Sequence, residues 1–130
     1  MNPPPPERPR STRRWRRKFG DAFDGLRLGV RGQSSFIVHG FFAALAAVAL
    51  VVLGCDAFEW CLIVGCIGMV VCAELMNSAI EVLFRGLPQE ARDRVFGALH
   101  ISAAVVLVAS LTAVVVGGIV FGRRIVMCFH

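Results

Sequence analysis

The chain alternates between three long apolar runs and short polar segments. Residues 36–54 hold a single ionisable group, His39. Residues 58–84 are free of charge from Trp60 to Ala73, and residues 100–121 contain no Asp, Glu, Lys or Arg. A helix needs about twenty apolar residues to cross a bilayer, so each run predicts a transmembrane helix. Ahead of them, Trp15, Phe19, Ala22, Phe23, Leu26 and Val30 recur at helical spacing among Arg and Lys residues. That pattern predicts a basic amphipathic helix over residues 12–32, capped by Ser11 and lying in the membrane interface. The expected fold is therefore an all-α membrane protein with three transmembrane helices and an N-terminal amphipathic surface helix. A leader, residues 1–12, contains four consecutive prolines and reads as disordered. The membrane domain spans residues 13–124, and residues 125–130 form a tail. Gly86 and Pro88 break the second span, so residues 85–97 read as a loop or a short helical extension.

The second run ends differently from the others. After its charge-free stretch come Glu74-Leu75-Met76-Asn77-Ser78-Ala79-Ile80-Glu81. On a helix, Glu74, Asn77, Ser78 and Glu81 stand at i, i+3, i+4 and i+7 and make one polar stripe two turns long. A carboxylate at membrane depth is expensive and normally faces a bundle interior or a water-filled cavity, which makes the stripe the candidate functional site. A bland reading stands beside it: buried polar groups also fix register between packed helices.

Composition sharpens this picture. Hydrophobic residues make up 56% of the 130, with a formal net charge of +5. Nine of the fourteen basic residues precede the first span and three more lie between the second and third. That asymmetry orients the chain with its N-terminus in the cytoplasm, where basic residues meet anionic headgroups. The third span then ends outside, although Arg123 and Arg124 follow it. No recognition motif accompanies the basic residues, so nucleic acid is not an expected partner. The five cysteines form no CxxC pair and read as packing residues. Val52-Leu53-Gly54-Cys55 has the look of a lipoprotein cleavage box. The long basic segment before it and the apolar chain after it argue against a signal peptide. Trp15 and Trp60 read as interfacial anchors, and His39 as an interfacial residue or a satisfied helix contact. No glycine-rich phosphate loop occurs.

The octapeptide Glu74–Glu81 closely resembles the E-x-x-N-[ST]-A-I-E signature of the small bacterial diacylglycerol kinase and undecaprenol kinase family. Phe19-Gly20-Asp21-Ala22-Phe23-Asp24-Gly25-Leu26 is similar to that family's surface-helix pattern, and residues 104–110 to its third span. The resemblance implies a homotrimer in the bacterial inner membrane, with sites shared between subunits. It implies transfer of the γ-phosphate of MgATP to a lipid alcohol, either diacylglycerol, giving phosphatidic acid, or undecaprenol. It also implies roles. Glu74 is the general base and Asn77 positions the reacting groups. Glu81 binds Mg2+ and ATP, Glu90 binds nucleotide, and Arg14 and Ser78 serve the lipid substrate.

The departures from the family pattern fall on the nucleotide and metal side. Gln33 stands where the family has a second metal-binding Glu and offers a carbonyl oxygen without charge. Leu99-His100 replaces a Lys-Asp pair, leaving His100, Arg85, Arg92 or Arg94 to supply the cation for ATP. Arg85 stands where many members have Asp. These changes define the alternative, a catalytically degenerate membrane protein of the same fold.

Overall fold

The computed structural model describes residues 11–30 and 34–128, with side chains over 15–30 and 35–128. Gln33, the Arg14 side chain and residues 1–10 of the leader lie outside the described residues. Four helices follow in order: α1 (Ser11–Val30), α2 (Ser34–Val52), α3 (Ala57–Arg85) and α4 (Gln89–Cys128). The described residues contain no strand. α2, α3 and α4 are each long and apolar enough to cross a membrane.

The first unit is α1. Trp15, Phe19, Phe23, Leu26 and Val30 fall on one stripe of this helix, as their spacing requires. Trp15 and Phe19 stack with ring centroids 6.4 Å apart, and the Lys18 ammonium lies 5.3 Å from the Trp15 ring centre.

The second unit is the bundle of α2, α3 and α4, in which α3 packs most extensively on α4. Each helix end has a local cause. α2 stops at Gly54, the one residue among those described with a positive φ, +60°. The Cys55 amide then bonds the Leu50 carbonyl at 3.0 Å and the Gly54 amide that of Val51 at 3.2 Å, a Schellman cap. Leu53-Gly54-Cys55 is accounted for by this cap. Burial and the neighbouring Glu59 carboxylate push the Cys55 thiol up from its ordinary value, so it stays a neutral packing group. α3 opens on a capping box in which Asp56 and Glu59 each accept from the other's backbone N–H, at 3.0 and 2.9 Å. It ends at Gly86, and Pro88 opens α4.

The helices meet on small residues and a few large ones. Leu50, Ile63 and Val120 form one buried cluster, flanked by Trp60 and Phe121. Val70, Ala73 and Ala109 form another, flanked by Val106 and Ala113. Trp60, expected as an interfacial anchor, thus also packs on the core. Most other large apolar side chains are exposed, as expected for residues that face lipid, where packing rather than water exclusion holds helices together.

α4 is longer than the apolar run that announces it. Forty residues rise about 60 Å, twice the thickness of the hydrocarbon layer. The segment expected as a loop or short extension is helical from Gln89 onward, and the tail is helical to Cys128. The extra length at the C-terminal end has a partner. Arg124 Nε donates to Glu59 Oε2 at 2.7 Å, and Nη2 to Asp56 Oδ2 at 2.9 Å. This clasp ties the end of α4 to the start of α3 and neutralises one of the two arginines that sit against the charge rule. Arg124→Ala leaves the buried Glu59 carboxylate without its cation. The variant is expected to lower the Tm in detergent by several degrees, with Arg123→Ala near wild type in the same thermal scan.

Candidate functional site

Charge-free residues carry α3 through the bilayer, and its polar stripe begins where they end. From Ala57, Glu74 lies about 26 Å along the helix and Glu81 about 36 Å. A hydrocarbon layer of about 30 Å that begins at Ala57 ends between Glu74 and Glu81, so the stripe spans the length over which such a layer gives way to water.

Glu74 is 3% exposed. A lone carboxylate there carries a large desolvation cost, and the structure supplies a partner from another helix. His39 Nε2 of α2 lies 2.8 Å from Glu74 Oε1. Asn77 bridges the next two elements. Its Nδ2 donates to Glu81 Oε1 at 3.0 Å, and its Oδ1 lies 2.7 Å from the Ser102 hydroxyl of α4. Ser102 is also 2.9 Å from the Leu99 carbonyl and, having one proton, donates to one acceptor at a time. Arg85 Nη2 donates to the other oxygen of Glu81, Oε2, at 2.9 Å. One connected set therefore runs from Ser102 through Asn77 and Glu81 to Arg85. Glu74 and His39 form a separate pair one turn deeper.

Ser78 is 2% exposed and its hydroxyl has no partner. Within this single chain it is closed off inside the bundle. Glu90 sits in the exposed first turn of α4. His100 packs edge-on against Phe96, with centroids 5.0 Å apart, and Phe96 lies against Phe84. His100 and Ser102 are about 200° apart around α4, so His100 points away from the Asn77 contact. Arg92 is held in the α3–α4 turn. Its Nε donates to the Leu87 carbonyl at 2.9 Å, Nη2 also binds the Arg85 carbonyl, and the guanidinium lies 5.9 Å from the Phe84 ring centre. The chain thus brings Glu74, Asn77, Ser78 and Glu81 to one face, and places Glu90 and His100 elsewhere on α4.

Two members of this constellation are absent from the sequence-based set, His39 in this role and Ser102. Each carried a signal. His39 is the one ionisable side chain in its span, about one turn inside, the depth of Glu74 on the neighbouring helix. Ser102 continues the stripe Val106, Ala109 and Ala113 that packs on α3, and is its one polar member.

Magnesium takes one or two carboxylates and fills its shell with phosphate oxygens and water. Glu81 fits that demand: a half-buried carboxylate on the water side of the stripe, each oxygen oriented by a neighbouring N–H. No group of three or more His, Cys, Asp or Glu residues is assembled among the described residues.

An apolar groove of about 590 Å³ runs between α2, α3 and α4. His39 and Ser110 are the polar side chains in a lining otherwise made of residues such as Phe42, Ala46, Ile67, Val70 and Phe121. The arrangement can receive a chain-like apolar molecule beside a buried carboxylate and hold charged groups on the water side.

Residues 20–121 match the profile of the prokaryotic diacylglycerol kinase family. No match of comparable strength arises with curated proteins or with solved structures. The matched segment contains the second half of α1, all of α2 and α3, α4 as far as Phe121, and the entire polar stripe. The chain belongs to the prokaryotic diacylglycerol kinase family, membrane-spanning lipid kinases of bacteria.

Proposed function

We propose that the protein phosphorylates a membrane lipid alcohol, diacylglycerol or undecaprenol, with MgATP as donor. It works as a homotrimer in the inner membrane with its N-terminus in the cytoplasm. One observation carries the reading: a buried carboxylate, held by His39, stands at the lipid edge of a stripe whose other carboxylate stands at the water edge. A lipid hydroxyl and a nucleotide phosphate approach from those two sides.

In the reaction, the lipid hydroxyl oxygen forms a bond to the γ-phosphorus while the bond to the bridging oxygen of ADP breaks. Glu74 accepts the hydroxyl proton. Glu81, with Gln33, would hold Mg2+, whose charge when bound offsets that of the phosphate groups. Asn77 orients Glu81 through its amide and is itself anchored by Ser102. Glu90 and His100 serve the nucleotide. Their position away from the Asn77 face of their own chain suits a site completed by a neighbouring subunit. Arg14 and Ser78 serve the lipid. Arg124, neutralised by Asp56 and Glu59, supports the N-in orientation, because it then contributes no free positive charge outside.

A degenerate, non-enzymatic relative is the second reading. It is favoured by the loss of the Lys-Asp pair at Leu99-His100 and of the metal-binding Glu at Gln33. One assay separates the two. Purified protein in lipid micelles, given MgATP and either diacylglycerol or undecaprenol, is expected to phosphorylate one of them with saturable kinetics. No product from either lipid overturns the kinase reading in favour of the degenerate one.

A further inference from the structure

We propose that His39 is the positioning residue of the catalytic base: it holds Glu74 by one oxygen and so aims the other at the lipid hydroxyl. The proposal rests on the kinase reading above and adds to it a residue on a different helix from the base.

The geometry is specific. The contact uses His39 Nε2 and Glu74 Oε1, at 2.8 Å. Among the described residues Glu74 has no other ion-pair partner, so Oε2 is left to the incoming hydroxyl. The His39 side chain is 25% exposed and that of Glu74 4%, so the contact joins a partly exposed ring to a buried carboxylate. His39 also lines the apolar groove, which places the same ring beside the path of a lipid tail. A Glu side chain has three rotatable torsions, and the His39 contact restrains the carboxylate at their end. A ring held by its two torsions on α2 does so at low entropic cost.

The proton balance needs nothing further. With the proton on Nε2, His39 donates to Oε1 before and after transfer. The lipid O–H bond breaks, Oε2 takes that proton, and the lipid oxygen bonds to phosphorus as ADP leaves. The ring keeps its own proton throughout.

The contact also links α2 to α3, so a purely structural role is the rival. The two differ in what they do to kinetics. Positioning acts on the chemical step alone: His39→Leu is expected to lower kcat about 100-fold with KM for MgATP unchanged. His39→Gln, whose amide N–H replaces Nε2–H, should recover activity to within about tenfold of wild type. His39→Leu with wild-type kcat, or His39→Gln no better than His39→Leu, overturns the proposal. If His39→Leu does not purify folded, nitrogen NMR of the labelled imidazole in wild type and in Glu74→Gln decides: the His39 Nε2 resonance should move on that substitution, and an unmoved resonance overturns the contact. Wild-type protein that phosphorylates neither lipid overturns the kinase reading and this role with it. Wild-type turnover that is indifferent to His39 overturns the role alone.

Discussion

Glu74→Gln is expected to lower kcat for lipid phosphorylation by about 10²–10⁴-fold, the usual contribution of a positioned general base. The amide has the volume of the carboxyl and keeps an oxygen for the His39 N–H, so the variant should fold and retain a Tm close to wild type. It has no lone pair basic enough to take the proton from a lipid hydroxyl. KM for MgATP should be little changed, because Glu74 lies about one turn of helix deeper than Asn77 and about two turns deeper than Glu81, on the lipid side. Steady-state kinetics at saturating lipid, with a thermal scan on the same preparation, test this. Wild-type turnover by Glu74→Gln sinks the assignment of the base and leaves the stripe as a packing seam.

The separation of roles proposed along α3 has its physical reason in the bilayer. A base for a lipid hydroxyl has to stand where the hydroxyl stands, near the hydrocarbon edge, and must be desolvated there. A group for nucleotide phosphates has to stand in water. Two carboxylates seven residues apart on α3 are about 10 Å apart along its axis, which is enough to put one on each side of that edge. His39, reaching Glu74 from α2, then has a physical reason: the inner carboxylate cannot be hydrated and takes a hydrogen bond from protein instead. Glu81, at the outer position, is held by residues of its own helix, Asn77 and Arg85, at the i−4 and i+4 positions.

How far this was legible in the sequence depends on the range of the interactions. The first two spans, read as 36–54 and 58–84, fall within two residues of α2 and α3 at each end. α4 extends beyond the third span, read as 100–121, by eleven residues at its start and seven at its end. Hydropathy reports the thickness of the bilayer, whereas the helix continues through Arg92, Asp93 and Arg94 on one side and Arg123 and Arg124 on the other. Gly97 did not interrupt it. The stripe itself was visible because helical period is a local property. Its cross-helix partners were not, because the meetings of His39 with Glu74 and Ser102 with Asn77 depend on the relative depth and rotation of separate helices. Of the two arginines after the third span, Arg124 owes its place to Asp56 and Glu59, partners more than sixty residues away in sequence.

The second large effect is expected at Asn77, the residue that joins α4 to the water-side carboxylate. Asn77→Ala removes both the N–H on Glu81 and the acceptor of Ser102, and should lower turnover about 100-fold, since Glu81 Oε1 loses the donor that aims it while Arg85 still holds Oε2. Asn77→Asp is the sharper probe. It replaces a donor 3.0 Å from Glu81 Oε1 with a second carboxylate, and two like charges at that distance disfavour each other's ionised form. At low Mg2+ this variant should be at least as impaired as Asn77→Ala. Raising Mg2+ should then recover part of its turnover, because the ion is stabilised by two carboxylates and relieves their repulsion. Asn77→Ala offers one carboxylate on this stretch of α3 instead of two and should recover less, and Glu74→Gln, whose defect lies in proton transfer on the lipid side, should not respond at all. Ser102→Ala, which removes the anchor but leaves the Asn77–Glu81 bond in place, should cost tenfold or less. Turnover measured across a Mg2+ titration for the four variants tests the whole ordering. Identical Mg2+ dependence in wild type and Asn77→Asp would place the metal away from Glu81, whereas recovery of Glu74→Gln by Mg2+ would move it to the inner carboxylate.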